Sequence, residues 1–325
     1  MNKARISVPA SSANLGPGFD CLALALELRL NAQVEWSSSK VKLHDFDGPL
    51  DWWQKAVQPN ARYKGTLAPF AEAHKSEPNL FAQAFVKAIL AAGPEYHLPE
   101  RLDCRVDSDI PVAQGLGSSA AAIVAGAALA QLWLRGKVDN DSIFQSAIEI
   151  EGHADNAAAA TFGGLQAALL IGSDTRPAPL KMHESLRVAI VVPRETLKES
   201  TGATRIWLPE SLKRTDAVSN QRALLTLLYG LKSGNPEAIK AGFEDRLHVP
   251  HRKAMIAGYE DIVQSGIEAG AYGVTISGAG GSMIALGTGD MSKIADAMSE
   301  AYNRHGMIAT AMTPAIATKG LTVEA

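Results

Sequence analysis

A stretch of 20 residues that begins at Pro111 contains the residue types that bind phosphate groups. It reads PVAQGLGSSAAAIVAGAALA, so a glycine-rich turn with two serines leads into a run of small apolar residues. Glycines let backbone N–H groups approach an anion closely, and a helix N-terminus adds the positive end of its dipole. The stretch therefore predicts an anion-binding turn in front of a buried helix that extends from about Ser119 to Leu134.

The stretch can be compared with the known anion-binding turns of proteins. A P-loop requires Gly-Lys followed by Ser or Thr, and the chain contains no such tripeptide. A dinucleotide fingerprint has a third glycine and directly follows a strand, whereas GLGSSA has alanine in that place and follows a loop with proline. A purely structural turn stays open. The remaining interpretation is a phosphate cradle of another design, in which the backbone of Gly115–Ser119 faces the anion and one serine ligates Mg²⁺.

Length and composition indicate the general class of protein. The 325 residues are 46% hydrophobic and 20% charged, which is typical of a globular chain with one large or two ordinary domains. A net charge of −3 gives no basic field, so no nucleic acid partner is expected. Two distant cysteines predict no disulfide framework and fit the cytoplasm. Because no signal segment is visible and Ala120–Leu134 is too short to span a bilayer, no membrane association is expected.

Hydrophobic periodicity predicts an α+β protein. Alternation from Leu22 to Val34 is typical of a long, half-buried strand, and a short strand is expected at Ile6–Val8. The polar segment Pro9–Asp20 between them is expected to be a loop. After Gly163, strands alternate with helices, which suggests a second layered domain. The helices predicted there are Ser219–Ser233, Pro236–Glu244, Lys253–Ala269 and Met291–His305.

Three motifs together resemble the GHMP small-molecule kinases. VPASSANLGPGFD begins at Val8, GLGSSAA at Gly115 and SGAGGS at Ser277, in the order that is typical of that superfamily. Within it the chain resembles the homoserine kinase family, whose segments are similar to EGHADN, STGATRIWLP and EDRLHVPHR. The resemblance extends from Ile6 to about Leu286. It departs from the family's pattern at Gly281, where proline is usual, in the tryptophan-rich segment 47–76, and in the alanines after EGHADN.

The resemblance implies both a fold and a reaction. The fold would have a ribosomal-S5-like N-terminal domain over 1–168 and a ferredoxin-like C-terminal domain over 169–325. The reaction would be phosphorylation of the L-homoserine hydroxyl by ATP with Mg²⁺, a step of threonine biosynthesis. A homodimer is also suggested. Two alternatives stay open, which are a kinase for another small alcohol such as L-threonine and a non-catalytic nucleotide-binding sensor.

The resemblance also implies roles for residues at the nucleotide. Ser118 and Glu149 are assigned to Mg²⁺, and Glu151 is the fallback because a spacing of two puts the glutamates on different helix faces. The ATP phosphates are assigned to a continuous run of residues, which we call the phosphate loop: Pro111, Val112, Ala113, Gln114, Gly115, Leu116, Gly117, Ser118, Ser119, Ala120 and Ala121.

A zwitterionic substrate needs an anion for its ammonium group and cations for its carboxylate. By the resemblance, Asn14 and Asp20 would bind the amino group. Arg205 and Arg252 would bind the carboxylate, and Thr201 could add a hydroxyl.

The resemblance implies catalytic roles for two neighbouring residues. Asn156 stands where many GHMP kinases have a catalytic aspartate. Since an amide cannot act as a base, the hydroxyl proton is expected to pass to the phosphoryl group or to water. Asp155 could serve instead, or could cap the following helix. His248 and His251 could form half a metal site, but no third ligand is evident in the sequence, so a role in the substrate loop is favoured.

Overall fold

The protein, described here by a computed structural model, consists of two main β-sheets with helices packed against each. The structure describes residues 2–42, 49–57, 61–73, 79–93, 97–195 and 202–324. The strands are β1 (Asn2–Asn14), β2 (Gly18–Trp36), β3 (Lys40–Lys42), β4 (Arg62–Gly65), β5 (His97–Pro99), β6 (Leu102–Ser108), β7 (Leu165–Ile171), β8 (Asp174–Leu180), β9 (Arg187–Pro193), β10 (Gly273–Ile276), β11 (Met283–Gly287), β12 (Ala309–Met312) and β13 (Thr322–Glu324).

The helices lie between these strands. They are α1 (Pro49–Trp52), α2 (Leu67–Ala73), α3 (Leu80–Ala92), α4 (Ser118–Arg135), α5 (Asn140–Glu151), α6 (Asp155–Phe162), α7 (Arg214–Ser233), α8 (Pro236–Gly242), α9 (Val249–Arg252), α10 (Tyr259–Glu268) and α11 (Met291–Arg304). Trp53–Val57 forms a short π-helix, and Gly202–Trp207 and Lys253–Met255 form 3₁₀ helices.

The first sheet has the strand order β13-β1-β2-β6-β4. Its central strand β2 is 19 residues long, which confirms the strand predicted from the alternation of apolar residues. Residues 22–24 of β2 pair with β7, and residues 30–36 pair with β6. One end of β2 therefore pairs with β7 and the other end pairs with β6, so this strand connects the two parts of the sheet.

The loop predicted at Pro9–Asp20 is wrong over most of its length. β1 continues through Asn14 and pairs with β2, so only residues 15–17 form the turn. Ser11 and Ser12 in this strand are 0% exposed. These polar residues are not exposed to solvent, because the Ser11 hydroxyl pairs with Asn156 and the Ser12 hydroxyl pairs with Ser277.

The second sheet has the order β10-β11-β9-β12, and all its pairs are antiparallel. Helices lie between β9 and β10 and between β11 and β12, which gives the βαββαβ arrangement of a ferredoxin-like domain. The predicted α+β class and ferredoxin-like half are confirmed. The single helix predicted at Lys253–Ala269 is wrong, because Gly258 is left-handed (φ 74°) and separates α10 from the preceding 3₁₀ turn.

Strand pairing does not follow the predicted division at residue 168. That boundary falls inside β7, which pairs along its whole length with β8, and β13 returns from the end of the chain to pair with β1. β8 contains Pro177 and Pro179, which an edge strand tolerates because its outer N–H groups have no partner strand. The sequence does not predict β8 because of these prolines, and it does not predict β13 because that strand has only three residues.

Helix α4 forms the centre of the N-terminal core. It contacts α3, α5, α6 and β1. At 18 residues it exceeds the predicted length and is apolar enough to cross a membrane, yet 67% of it is buried inside the protein, as is usual for a core helix. Trp52 is 0% exposed and stacks on Phe85 at 5.5 Å between ring centroids, so this tryptophan packs in the core.

Candidate active site

The phosphate loop connects β6 to α4 through left-handed backbone. Gly115 has φ 78°, Gly117 has φ 69° and Ala113 has φ 57°. Gly117 is the N-cap of α4 and makes no side-chain cap hydrogen bond. No described side chain caps the N–H groups of the first turn of α4, which is the arrangement that binds an anion at a helix N-terminus.

The three motifs of the sequence interlock at this loop. Ser11 N–H donates to the Leu116 carbonyl (3.1 Å), and the Ser277 hydroxyl donates to the Gly115 carbonyl (2.8 Å). A Cβ at Gly117 would collide with Ser11 Oγ, and one at Gly115 would collide with the Ser277 carbonyl oxygen. Both glycines are required by close approach as well as by their positive φ.

A pocket opens at the head of α4. Its walls come from the phosphate loop, from the SGAGGS segment and from the EGHADN segment. The lining residues are Ala113, Gly115, Gly117, Ser118, Ser119, Glu151, Asn156, Gly278 and Ala279. The pocket thus combines backbone donors, hydroxyl groups, one carboxylate and one amide.

Of the two glutamates predicted for the metal, the structure brings only one to this pocket. Glu151 has a side chain that is 7% exposed and accepts a hydrogen bond from Ser119. Burial raises the pKa of Glu151, while the hydrogen bond from Ser119 opposes the shift. Glu149 has a side chain that is 70% exposed and pairs with Lys87 at 3.7 Å. The expected placement of Glu149 beside Ser118 is therefore not observed, because the two glutamates lie on different faces of α5.

A chain of polar contacts extends from Glu151 to Asn156. His153 lies between two carboxylates, with Nδ1 3.0 Å from Asp155 Oδ1 and Nε2 3.5 Å from Glu151 Oε1. Although burial opposes it, the hydrogen bond and negative charge of Asp155 raise the pKa of His153. Asp155 Oδ1 accepts from the Asn156 N–H (2.7 Å), and Asn156 Oδ1 accepts from the Ser11 hydroxyl (2.8 Å). These contacts fix the orientation of Asn156 at the pocket wall.

The residues predicted for the substrate meet beside the phosphate loop. Asn14 Oδ1 accepts from the Asp20 N–H (3.1 Å), and Asn14 Nδ2 donates to the Gly278 carbonyl (2.8 Å). Arg205 donates to both oxygens of Asp20, each at 2.8 Å. We call the group of Asn14, Asp20, Arg205 and Arg252 the acceptor pocket. Thr201 lies outside the described residues.

Arg252 is a buried cation with few acceptors. The residue is 2% exposed, its Nη1 lies 3.4 Å from the Gly278 carbonyl oxygen, and its buried Nε has no hydrogen-bond partner among the described residues. Burial and the nearby charge of Arg205 lower the pKa of Arg252. A buried guanidinium in this state is matched by an anion, for which a carboxylate has the right geometry.

The structure does not support the alternative in which His248 is a metal ligand. His248 Nε2 lies 2.9 Å from the Gly16 carbonyl oxygen, so this nitrogen donates to the backbone. Among the described residues, no group of three His, Cys, Asp or Glu side chains is placed to hold a metal ion by itself. Sequence reasoning missed Ser11, Phe19 and Ser277 as site residues, although each lies within a motif that it had identified.

Comparisons with known proteins agree with this fold. The model of the GHMP kinases N terminal domain matches residues 79–164, and that of the GHMP kinases C terminal matches residues 227–304. The class of protein is therefore that of the GHMP kinases, which phosphorylate hydroxyl groups.

Individual relatives show to which family within the GHMP kinases the chain belongs. A homoserine kinase from Picosynechococcus is 32% identical, covering 99% of this chain and 100% of the relative. One from Prochlorococcus marinus is 35% identical, covering 98% of this chain and 95% of the relative. The crystal structure of homoserine kinase from Cytophaga hutchinsonii shares the fold, with a TM-score of 0.81 and 23% identity over 100% of this chain and 98% of that chain. The chain belongs to the homoserine kinase family of the GHMP kinases.

Proposed function

We propose that this protein transfers the terminal phosphoryl group of ATP to the hydroxyl of L-homoserine, which gives O-phospho-L-homoserine for threonine biosynthesis. One observation carries the proposal. The Gly278 carbonyl accepts from Asn14 Nδ2 at 2.8 Å and lies 3.4 Å from Arg252 Nη1, and Gly278 also lines the pocket at the phosphate loop. A site for a charged amino acid therefore shares a wall with a site for phosphate.

Both ends of the amino acid find complementary groups in the acceptor pocket. The ammonium group would bind Asp20 and Asn14, and the carboxylate would bind Arg252 and Arg205. In the structure Asp20 and Arg205 bind each other in a bidentate pair. A zwitterion would replace each side of this pair with one of its own charges, so substrate binding leaves neither charge without a partner.

The phosphate loop, Pro111–Ala121, would hold the nucleotide phosphates. Its donors are backbone N–H groups, and the dipole of α4 is directed at the anion. Phosphoryl transfer requires positioning and charge neutralisation more than covalent participation by the protein. The rigid contacts of this loop with Ser11 and Ser277 supply that positioning.

The donor set at the head of α4 fits Mg²⁺ that arrives with the nucleotide. Mg²⁺ prefers oxygen ligands and is usually held by one or two carboxylates together with substrate phosphates and water. Glu151 supplies a buried carboxylate and Ser118 a hydroxyl in the same pocket. Ser118 and Glu151 would therefore hold the ion, whose charge would offset the charge that develops on the phosphates.

No side chain in the site has to act as a base in this proposal. Asn156 would orient the substrate hydroxyl, and its proton would pass to the phosphoryl group or to water as the new bond forms. Asp155 is 2% exposed and already accepts from His153 and from the Asn156 N–H, so it serves to hold this segment. The homodimer and the cytoplasmic location remain predictions of the family resemblance.

The test is ADP release from Mg·ATP with L-homoserine, L-threonine, L-serine and mevalonate at matched concentrations. We expect kcat/KM for homoserine to exceed the others by about 100-fold or more, which is about 2.7 kcal/mol in the transition state. A higher value for threonine or another alcohol would contradict the substrate assignment but leave the kinase assignment intact. ATP binding without turnover on any alcohol would instead indicate a nucleotide sensor.

A further inference from the structure

The guanidinium groups of Arg205 and Arg252 both lie over the ring of Phe19. The Cζ atom of Arg205 lies 5.6 Å from the ring centroid, and that of Arg252 lies 5.3 Å from it. The ring also stacks with His248, with centroids 5.3 Å apart and planes at 30°. Cations within about 6 Å of an aromatic centroid are attracted by the negative face of the ring. One side chain therefore contacts both arginines of the acceptor pocket.

The neighbours of Phe19 are those of a recognition site and not of a core. Among the described residues, Phe19 is neither a member of the hydrophobic clusters nor one of the apolar side chains packed against them. By contrast Leu15 and Leu22, on either side of it in the sequence, are both core members. Phe19 thus contacts charged side chains where a core phenylalanine would contact aliphatic ones.

The two arginines need such a neighbour because they carry like charges in a partly dry pocket. Arg205 has Asp20 as its counter-ion. Arg252 is buried, its Nε has no partner within the described part of the chain, and burial together with the charge of Arg205 disfavours its ionised form. The ring is an electron-rich surface that can approach both guanidiniums without occupying the hydrogen-bond donors that a carboxylate requires. A carboxylate in the place of Phe19 would instead compete with the substrate.

We propose that Phe19 is a positioning residue that holds Arg205 and Arg252 at the spacing required to bind the substrate carboxylate. Because Asp20 is the next residue on β2, the same strand end would set the position of both charged ends of the amino acid. The inference rests on the proposed function. It adds to that function a residue that acts through the two guanidiniums.

The sharpest test lowers the electron density on the face of the Phe19 ring with almost no change in its shape. Phe19 is replaced in the full-length enzyme by 4-fluoro-, 3,5-difluoro- and 3,4,5-trifluorophenylalanine, since each fluorine weakens the negative face. We expect KM for L-homoserine to rise stepwise, to about fivefold to thirtyfold with three fluorines, the range of one desolvated cation–π contact. kcat and KM for ATP should stay within about twofold of the wild-type values.

A substrate without the carboxylate separates this role from a purely structural one. 3-Aminopropan-1-ol is L-homoserine without its carboxylate, and its kcat/KM, or its inhibition constant as a competitor, should not change along the fluorine series. F19L should raise KM for homoserine as the trifluoro variant does. If F19L does not fold, the fluorine series decides alone.

Two results would overturn the inference. One is a KM for homoserine that does not respond to fluorination, and the other is an equal loss for homoserine and 3-aminopropan-1-ol. Failure of the proposed function is distinguishable from both, because it is observed in the wild-type enzyme as the absence of a preference for homoserine before any variant is compared.

Discussion

The phosphate loop and the acceptor pocket meet at Gly278 but are built in opposite ways. The loop would bind phosphate through its backbone N–H groups, and its conformation depends on glycines such as Gly115 and Gly117 and on the close contacts these allow. The acceptor pocket would bind its ligand through the charged side chains of Asp20 and Arg252, which come from parts of the chain more than 200 residues apart. The first kind of site would recognise phosphate groups, whereas the second would match the charges of one class of acceptor.

This difference predicts opposite sensitivities to substitution. A change of backbone freedom should damage the loop and leave amino-acid selectivity intact. A change of charge should damage the pocket and leave nucleotide binding intact. The experiments below test this separation, from the largest expected effect to the smallest.

The largest effect should come from G117A. The alanine Cβ would collide with Ser11 Oγ and would stand at φ 69°, where a side chain is strained. A displaced loop misplaces the phosphates, and a shift of about 1 Å costs about 100-fold in rate. We therefore expect kcat/KM for ATP to fall by about 100-fold or more, as measured by ADP release.

Helix α4 provides a matched control at its other end. Gly136 is the C-cap at φ 68°, and nothing lies within 4 Å of a Cβ placed there. G136A should therefore cost about 1 kcal/mol of stability, as for one left-handed residue, and leave the kinetics unchanged. Equal kinetic losses in both variants would mean that strain in α4, and not the geometry of the phosphate loop, causes the effect.

The next effect separates the two glutamates of α5. E151Q removes a buried carboxylate from the pocket, so the Mg²⁺ concentration for half-maximal activity should rise by about 30- to 100-fold, the scale of a lost charged contact. E149Q changes an exposed group that pairs with Lys87, and should shift this concentration by less than about twofold. A titration of activity with Mg²⁺ at fixed ATP measures both. The reverse order would restore Glu149 as the ligand.

The same contrast explains what the sequence could and could not predict. The phosphate loop is contiguous, so a single stretch with glycines, serines and a following helix is enough to predict an anion-binding turn. The family resemblance assigns Mg²⁺ to Glu149 with Glu151 as the fallback, but the choice between them depends on which face of α5 packs against α4. Packing decides which carboxylate is buried, and a spacing of two residues does not indicate the face.

The acceptor pocket required the family resemblance because its residues lie far apart. Asp20 and Arg205 are common surface residues by type, and only the fold brings them within 2.8 Å. The strand β1 was predicted too short because its serines are polar, although buried partners satisfy them. β8 was missed because its prolines argue against a strand except at a sheet edge.

Within the acceptor pocket, the two arginines should differ. R252M removes a buried cation, so KM for homoserine should rise by about tenfold to thirtyfold, as for one charged hydrogen bond. The side chain of Arg205 is 40% exposed, and water screens it, so R205M should raise this KM by about threefold to tenfold. KM for ATP should change in neither variant. A larger effect at Arg205 would contradict the idea that burial sets the strength of this pocket.

The smallest effect should be a pH dependence of stability that comes from His248 in the wall of the acceptor pocket. Burial lowers the pKa of His248 from its ordinary 6.5, and the charge of Arg252 lowers it further, although Asp245 opposes the shift. Below about pH 6.5 the unfolded chain therefore takes up a proton that the folded chain does not, so the free energy of unfolding falls as the pH falls. Above that pH both states are neutral and His248 contributes no pH dependence.

Urea unfolding of wild type and H248Q at pH 7.5 and pH 5.5 measures this contribution. Because glutamine does not titrate, the stability of the wild type relative to H248Q should decrease by up to about 1 kcal/mol between the two pH values. An equal difference at both pH values would mean that the folded protein binds the proton at His248 as readily as the unfolded chain does. His248 would then be protonated at pH 5.5, and its positive charge would lie against Phe19 and near Arg252, with Asp245 as its counter-ion.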